Sequence, residues 1–116
     1  MLYYTDMDKF SALADPTRRK IMEMLSVAGQ MASTEISDQF SMSAPAISQH
    51  LKVLRQAKLV TVERRAQQRI YRVNPEALGE VELWARRLRK VWDDRFDQIE
   101  QLLKEQDYKE NNDEQE

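Results

Sequence analysis

Helical apolar spacing dominates the chain, interrupted once by a stretch with the spacing of strands. From Ser41 to Val60 the sequence reads SMSAPAISQHLKVLRQAKLV, in which Ile47, Leu51 and Leu54 recur at i, i+4 and i+7. That spacing sets three large apolar side chains on one stripe, which must bury against a core. Ser43 is a good N-cap, and Pro45 falls in the first turn, where its missing N–H leaves no helical bond unmade. A helix is therefore predicted from about Ala44. LVTVERR and RIYRVN follow, two short β-rich runs joined by Ala66-Gln67-Gln68. No glycine stands at that tip, which disfavours a tight two-residue turn and predicts a longer loop.

Shorter helical patterns precede this stretch. Asp6 can cap a first helix with Met7, Phe10, Leu13 and Ala14 on one face. It ends at Asp15-Pro16, because a residue before proline avoids the α region and Asp-Pro suits the N-cap and N1 of a following helix. The second helix is predicted over about Thr17 to Val27, burying Ile21, Met24 and Leu25 and closing at Gly29. Ser33 opens a short third helix that packs through Ile36 and Phe40, and Ser41-Met42 joins it to the next, as in a helix-turn-helix.

Asn74-Pro75 starts the longest helix. Along it Leu78, Val81, Trp84 or Ala85, Leu88, Val91 or Trp92, Phe96, Ile99 and Leu102 or Leu103 recur in alternating steps of three and four, a heptad-like seam. A helix of roughly 45 Å is longer than a domain this small covers by itself. The stripe calls for a partner, most simply a second copy. EQDYKENNDEQE, residues 105–116, has no apolar periodicity and many acids, and is expected to be a disordered tail after one domain over 1–104.

Charge changes the reading of the helix at Ala44. Its outward face carries Ala44, Pro45, Ser48, Gln49, Lys52 and Arg55, small first, then hydrogen-bonding, then cationic. Such an order suits entry into a major groove, where short polar side chains read base edges and cations hold phosphates. A solvated amphipathic helix has a similar face, so the helix alone leaves both readings open. Between Ala44 and Arg72, however, Lys52, Arg55, Lys58, Arg64, Arg65, Arg69 and Arg72 stand against the single acid Glu63, a local net charge of +6 that the whole-chain value of −2 conceals. Residues 1–75 carry a net +4 and residues 76–116 a net −6, so the first part can face DNA and the second should stay away from it.

Composition removes several function classes. With no cysteine there is neither a disulfide framework nor a thiolate metal site, and two glycines are too few for a phosphate-cradling loop. His50, the only histidine, has no partner for a nucleophile–base pair or a multi-histidine metal site, so an enzyme is not expected. Its setting suits a DNA-proximal or a helix-packing role. Arg18, Arg19 and Lys20 sit near the start of the second helix, where cations oppose the dipole. A phosphate or carboxylate partner would compensate them, and simple solvation is the alternative. MLYYTDMDKF has neither a basic leader region nor a long apolar run, which points to a cytoplasmic protein without a membrane span.

SAPAISQHLKVLRQAKLVTVERRAQQRIYRVNPEAL resembles the helix-turn-helix and wing of the ArsR superfamily of bacterial repressors, and DPTRRKIMEML resembles the same family's second helix. The likeness covers roughly residues 8 to 104 and is to the metal-independent branch, which ends in a long tryptophan-bearing helix. It implies a mainly α winged helix-turn-helix of about five helices with a small β-hairpin wing, dimerising through its first and last helices. The implied function is that of a homodimeric repressor occupying a pseudo-palindromic site on double-stranded DNA. DNA contacts are then expected from Ser43, Ala44, Pro45, Ser48, Gln49, His50, Lys52 and Arg55, and from Arg64, Arg65 and Arg69 of the wing. The dimer interface is expected from Phe10, Leu78, Val81, Trp84, Leu88, Trp92, Phe96, Ile99 and Leu103. Metal-sensing members carry Cys-x-Cys where this chain has Ala32 and Thr34, and others use histidine in the last helix, where this chain has none. No metal or other cofactor is expected. Two alternatives stand beside this reading: a repressor released by an apolar small molecule bound near Trp84, Trp92 and Phe96, or a helical protein-interaction module using the seam. The latter has no need of the +6 patch.

Overall fold

A computed structural model describes residues 8–114, so the expected roles of Asp6 and Met7 lie outside the described residues. The chain divides into a head reaching Val81 and a helical unit beginning at Glu82.

In the head, α1 (Lys9–Leu13) is capped by Asp8, whose carboxylate accepts from the Phe10 N–H at 3.2 Å. Asp15 then caps α2 (Pro16–Ala28) by accepting from the Arg18 N–H at 3.0 Å, with Pro16 at the first helical position. Gly29 ends α2 at φ 84°, a left-handed conformation that suits glycine, and its N–H closes on the Leu25 carbonyl at 2.8 Å. A two-residue strand, β1 (Met31–Ala32), leads into α3 (Ser33–Asp38). The N-cap of α3 is Ala32 rather than Ser33, and Glu35 compensates for the missing side-chain cap by accepting from the Ala32 N–H at 3.0 Å. The Gln39 and Phe40 N–H groups fold back onto Ile36 and Ser37, so α3 stops at Asp38 and the turn to the next helix is longer than Ser41-Met42.

Recognition of the next helix from sequence holds in detail. α4 spans Ala44–Gln56, Ser43 Oγ accepts from the Ala46 N–H at 3.3 Å, and Pro45 lies in the first turn. At its far end the Leu59 N–H bonds to the Leu54 carbonyl and the Lys58 N–H to that of Arg55, both at 3.0 Å, which is a Schellman closure. Lys58 occupies the left-handed position there, at φ 63°, where glycine is usual. Asn74 braces this corner by donating its side-chain amide to the Lys58 carbonyl at 2.8 Å.

β2 (Val60–Arg65) and β3 (Gln68–Val73) pair in the expected hairpin, and β1 adds to the far side of β3 to give an antiparallel sheet in the order β1-β3-β2. The strand at β1 escapes a period-based reading because two residues show no alternation. Pairing runs out to Arg65 and Gln68, so the expected longer loop is replaced by a two-residue turn, Ala66-Gln67. Ala66 takes φ 53°, the backbone sign that a type II′ turn demands at its first central position. The ladder outside the turn thus outweighs the roughly 1–2 kcal/mol that left-handed backbone costs a non-glycine residue.

The core joins Ile21 and Leu25 of α2, Ile36 of α3, Ile47, Leu51 and Leu54 of α4, Leu59, and Tyr71 of β3. Each such aliphatic side chain contributes roughly 1.5–3 kcal/mol relative to an exposed position. Met22 is buried whereas Met24, expected inside, is partly buried.

α5 (Pro75–Glu114) begins in the head, where Ala77 is buried and Leu78 packs against the core, so Leu78 serves the head rather than standing free on a seam. In the second unit every side chain from Glu82 to Asn112 is exposed. Helix continues to Glu114 where a disordered tail from residue 105 is expected. After Gly79 the chain contains neither proline nor glycine, and Glu, Gln and Lys are good helix formers. Ion pairs at i,i+4 (Arg86–Glu82 at 2.6 Å, Lys90–Asp94 at 3.0 Å, Lys104–Glu100 at 3.8 Å) add a few tenths of a kcal/mol each. Among the described residues no helix is long and apolar enough to cross a membrane.

Candidate nucleic-acid interface

The apolar stripe of α4 is turned into the core, which presents Ser48, Gln49, Lys52 and Arg55 outward. These four, with Pro45, form one wall of a groove of about 480 Å³, and Arg69 and Tyr71 of β3 form the other. No carboxylate lines it. Ser43 and Ala44 lie exposed just ahead of the groove residues, leaving the helix N-terminus open to close approach.

Strand register sorts the wing arginines onto two faces. Val62 pairs with Tyr71 and Arg64 with Arg69, so Arg64 shares the groove face with Arg69. Arg65 belongs to the other face, where it donates to Glu63 at 3.1 Å. Arg72, also on that face, donates twice to Gln30 Oε1 at 2.6 and 3.0 Å and lies 3.7 Å from Glu63. The expected trio of Arg64, Arg65 and Arg69 is therefore split: Arg69 lines the groove, Arg64 shares its face of the hairpin without lining the groove, and Arg65 is engaged on the opposite face. Arg64 and Arg69 stand directly opposite one another, a like-charge pairing that destabilises a hairpin by up to about 1 kcal/mol and that a bound anion relieves.

His50 is placed elsewhere. It is half-buried, its Nδ1 lies 3.2 Å from the Arg18 guanidinium and 3.9 Å from Asp15 Oδ2, and it is not among the groove lining. Arg18 also donates Nε–H to the Ala12 carbonyl at 2.6 Å and a terminal N–H to that of Ser11 at 3.3 Å, while Arg19 donates to Leu13 at 2.7 Å. Arg18 and Arg19, two of the three cations that oppose the α2 dipole, thus bond to carbonyls at the end of α1. Sequence reasoning missed this use because the partners come from another helix. The Asp15 carboxyl is held below the usual carboxylate range chiefly by the Arg18 backbone N–H; burial is the next effect and opposes it, and the nearby Arg18 and His50 side chains add lesser lowering contributions.

The aromatic residues expected in an interface or effector pocket stand open on α5, with Trp84 46% and Trp92 67% exposed. Leu88, Phe96, Ile99 and Leu103 are more than half exposed, Val81 is half-buried, and Phe10 is partly exposed on α1. Ala32 is buried in β1 opposite Ile70, and Thr34 lies in the first turn of α3. Neither offers a soft-metal donor, and no group of three or more His, Asp or Glu that could hold a metal ion occurs among the described residues.

Known proteins share this fold. The sequence profile of bacterial regulatory proteins of the arsR family matches residues 15–62, from the cap of α2 into β2. The transcriptional repressor SdpR of Bacillus subtilis is 39% identical over 75 residues, covering 65% of this chain and 82% of that protein. The chain belongs to the ArsR family. Another relative, the arsenical resistance operon repressor of Staphylococcus xylosus, is 33% identical over 66 residues, 57% of this chain and 62% of that one. Among solved structures, the ArsR-like transcriptional regulator from Rhodococcus sp. RHA1 superposes with a TM-score of 0.68 at 28% identity over 80% of this chain and 87% of its own. The ArsR-family winged helix is thereby matched in both sequence and structure. This protein is a DNA-binding transcriptional regulator of the repressor type, not an enzyme.

Proposed function

We propose that this ArsR-family protein is a cytoplasmic homodimeric repressor, which occupies a pseudo-palindromic site on double-stranded DNA and does not sense metal. One observation carries the reading: the groove between α4 and β3, cationic at Lys52, Arg55 and Arg69 and free of lining carboxylates, beside a helix with Ser48 and Gln49 outward. In this arrangement α4 lies in the major groove with Ser48 and Gln49 against base edges, while Lys52, Arg55, Arg64 and Arg69 hold phosphates. Dimerisation is supported by the exposed stripe of Trp84, Leu88, Trp92, Phe96, Ile99 and Leu103, which asks for a cover of the same length. Metal independence is supported by the donor chemistry of Ala32 and Thr34.

Selection of bound fragments from random duplex DNA tests the first part. An inverted repeat with half-site centres about one helical turn, roughly 34–36 Å, apart is the expected product. A single unrepeated site would refute the two-fold arrangement. Titrating zinc, arsenite or cadmium into the complex tests the second: no saturable release is expected, and release at one metal per subunit overturns it.

A further inference from the structure

The corner where α1, α2 and α4 meet contains a titratable group that the DNA-facing groove does not use. We propose that His50 is a positioning residue of α4, accepting a hydrogen bond from Arg18 in its neutral form and thereby fixing the helix for DNA, so that protonation of His50 weakens specific binding. This rests on reading α4 as the helix that enters the major groove.

The proposed hydrogen bond requires one protonation state. An arginine side chain has donors and no acceptor, so the 3.2 Å contact between its terminal nitrogen and His50 Nδ1 is a hydrogen bond only when Nδ1 is bare and the ring proton sits on Nε2. The same guanidinium is anchored on the far side by the Ala12 and Ser11 carbonyls. One planar group therefore links the end of α1 to the middle of α4 through the first turn of α2. Adding a proton at Nδ1 sets donor against donor and cation against cation. The acceptor left to the new N–H is Asp15 Oδ2, now 3.9 Å away and already accepting from the Arg18 backbone at 3.0 Å. Reaching it requires the imidazole to turn away from the guanidinium.

The charged groups facing His50 from α2 are Asp15 and Arg18. From α1 it is the Ser11 and Ala12 carbonyls that complete the guanidinium's shell, and the one cation of that helix, Lys9, is paired with Glu80 at 2.8 Å. Asp15 has a lowered pKa, so its capping contribution is present above the ordinary carboxylate range and is lost only as pH falls through that lowered value. It stays ionised while a histidine titrates. His50 is the one histidine of the chain, so replacing it removes the only imidazole that acidification could address.

The sign of the pH effect separates positioning from contact. A histidine lying against phosphate gains affinity on protonation, whereas one that orients α4 loses it. The test measures binding of the tightest duplex recovered by selection, and of a random duplex of equal length, at about pH 7.5 and about pH 5.5. Wild-type affinity for the selected duplex should fall about tenfold on acidification, with a smaller change on the random duplex. His50→Gln, whose carbonyl can accept from Arg18 without titrating, should hold its affinity across the same range. Affinity that rises with acid, or an identical profile in His50→Gln, overturns the proposal. Should His50→Gln fail to fold, the 15N shifts of the single wild-type imidazole decide: the Nε2–H tautomer supports the proposal and the Nδ1–H tautomer refutes it. A parallel Gln49→Ala arm monitors the underlying reading, since unchanged base preference there would remove α4 from the groove whatever His50 does.

Discussion

Leu54 and Leu88 are identical side chains on equally regular apolar stripes, yet one is fully buried and the other is 54% exposed. The first lies on α4 amid residues from α2, α3 and the sheet; the second lies on α5 beyond Glu82, where every described neighbour is exposed. Periodicity states that a face is to be covered, and the local chain decides by what. In the head, short helices and tight caps bring other elements of the same chain onto the stripe. The helix runs on to Glu114 without a breaker, and from Glu82 to Asn112 its side chains are all exposed.

Replacing each leucine breaks the comparison in a different way. Leu54→Ala should destabilise the head by roughly 2–5 kcal/mol, read as a lowered denaturant midpoint at unchanged oligomeric state, because it opens a cavity in a closed core. Leu88→Glu combined with Ile99→Glu should leave the head's unfolding almost unchanged and convert dimer to monomer in sedimentation. Operator affinity should then drop on the order of 100-fold as the second half-site is lost. A dimer that survives both substitutions places the interface elsewhere.

Within the head, the proposed division is between reading by the groove face of α4 and holding by the hairpin. Gln49→Ala should cost about 1–3 kcal/mol on the operator and relax preference at one base pair per half-site, with random DNA little affected. Arg69→Ala should weaken both duplexes and flatten the slope of log affinity against log salt by about 0.9 for each phosphate no longer neutralised. Changed base preference in Arg69→Ala with none in Gln49→Ala would make the wing the reader. The smallest effect is expected at the end of α4. Lys58→Gly relieves left-handed backbone at φ 63° and should raise stability by up to about 1 kcal/mol, measured by the same denaturant titration.

Local signals made much of this legible. Ser43, Pro45 and the stripe of Ile47, Leu51 and Leu54 define α4 within a few residues of one another, and Asp15-Pro16 and Gly29 bound α2 in the same way. What sequence left hidden depends on distant partners. The hairpin tip looks unsuited to a tight turn until the ladder from Val60 to Arg65 is seen to outweigh the strain at Ala66. Arg65 reads as one more cation until register places it beside Glu63, and Arg18 meets His50 across 32 positions of sequence. β1 exists only because β3 offers it an edge. The groove residues of α4 were readable because they are the complement of a buried stripe; the sorting of the wing arginines needed the register itself.

The bare stripe of α5 also bears on gene dosage. If a second copy covers it, assembly precedes occupancy of a two-fold site, and while monomer predominates the concentration of competent species grows with the square of the protein concentration. Halving synthesis then cuts the dimer about fourfold, so a promoter governed by this protein responds to its supply more steeply than a single-site binder allows.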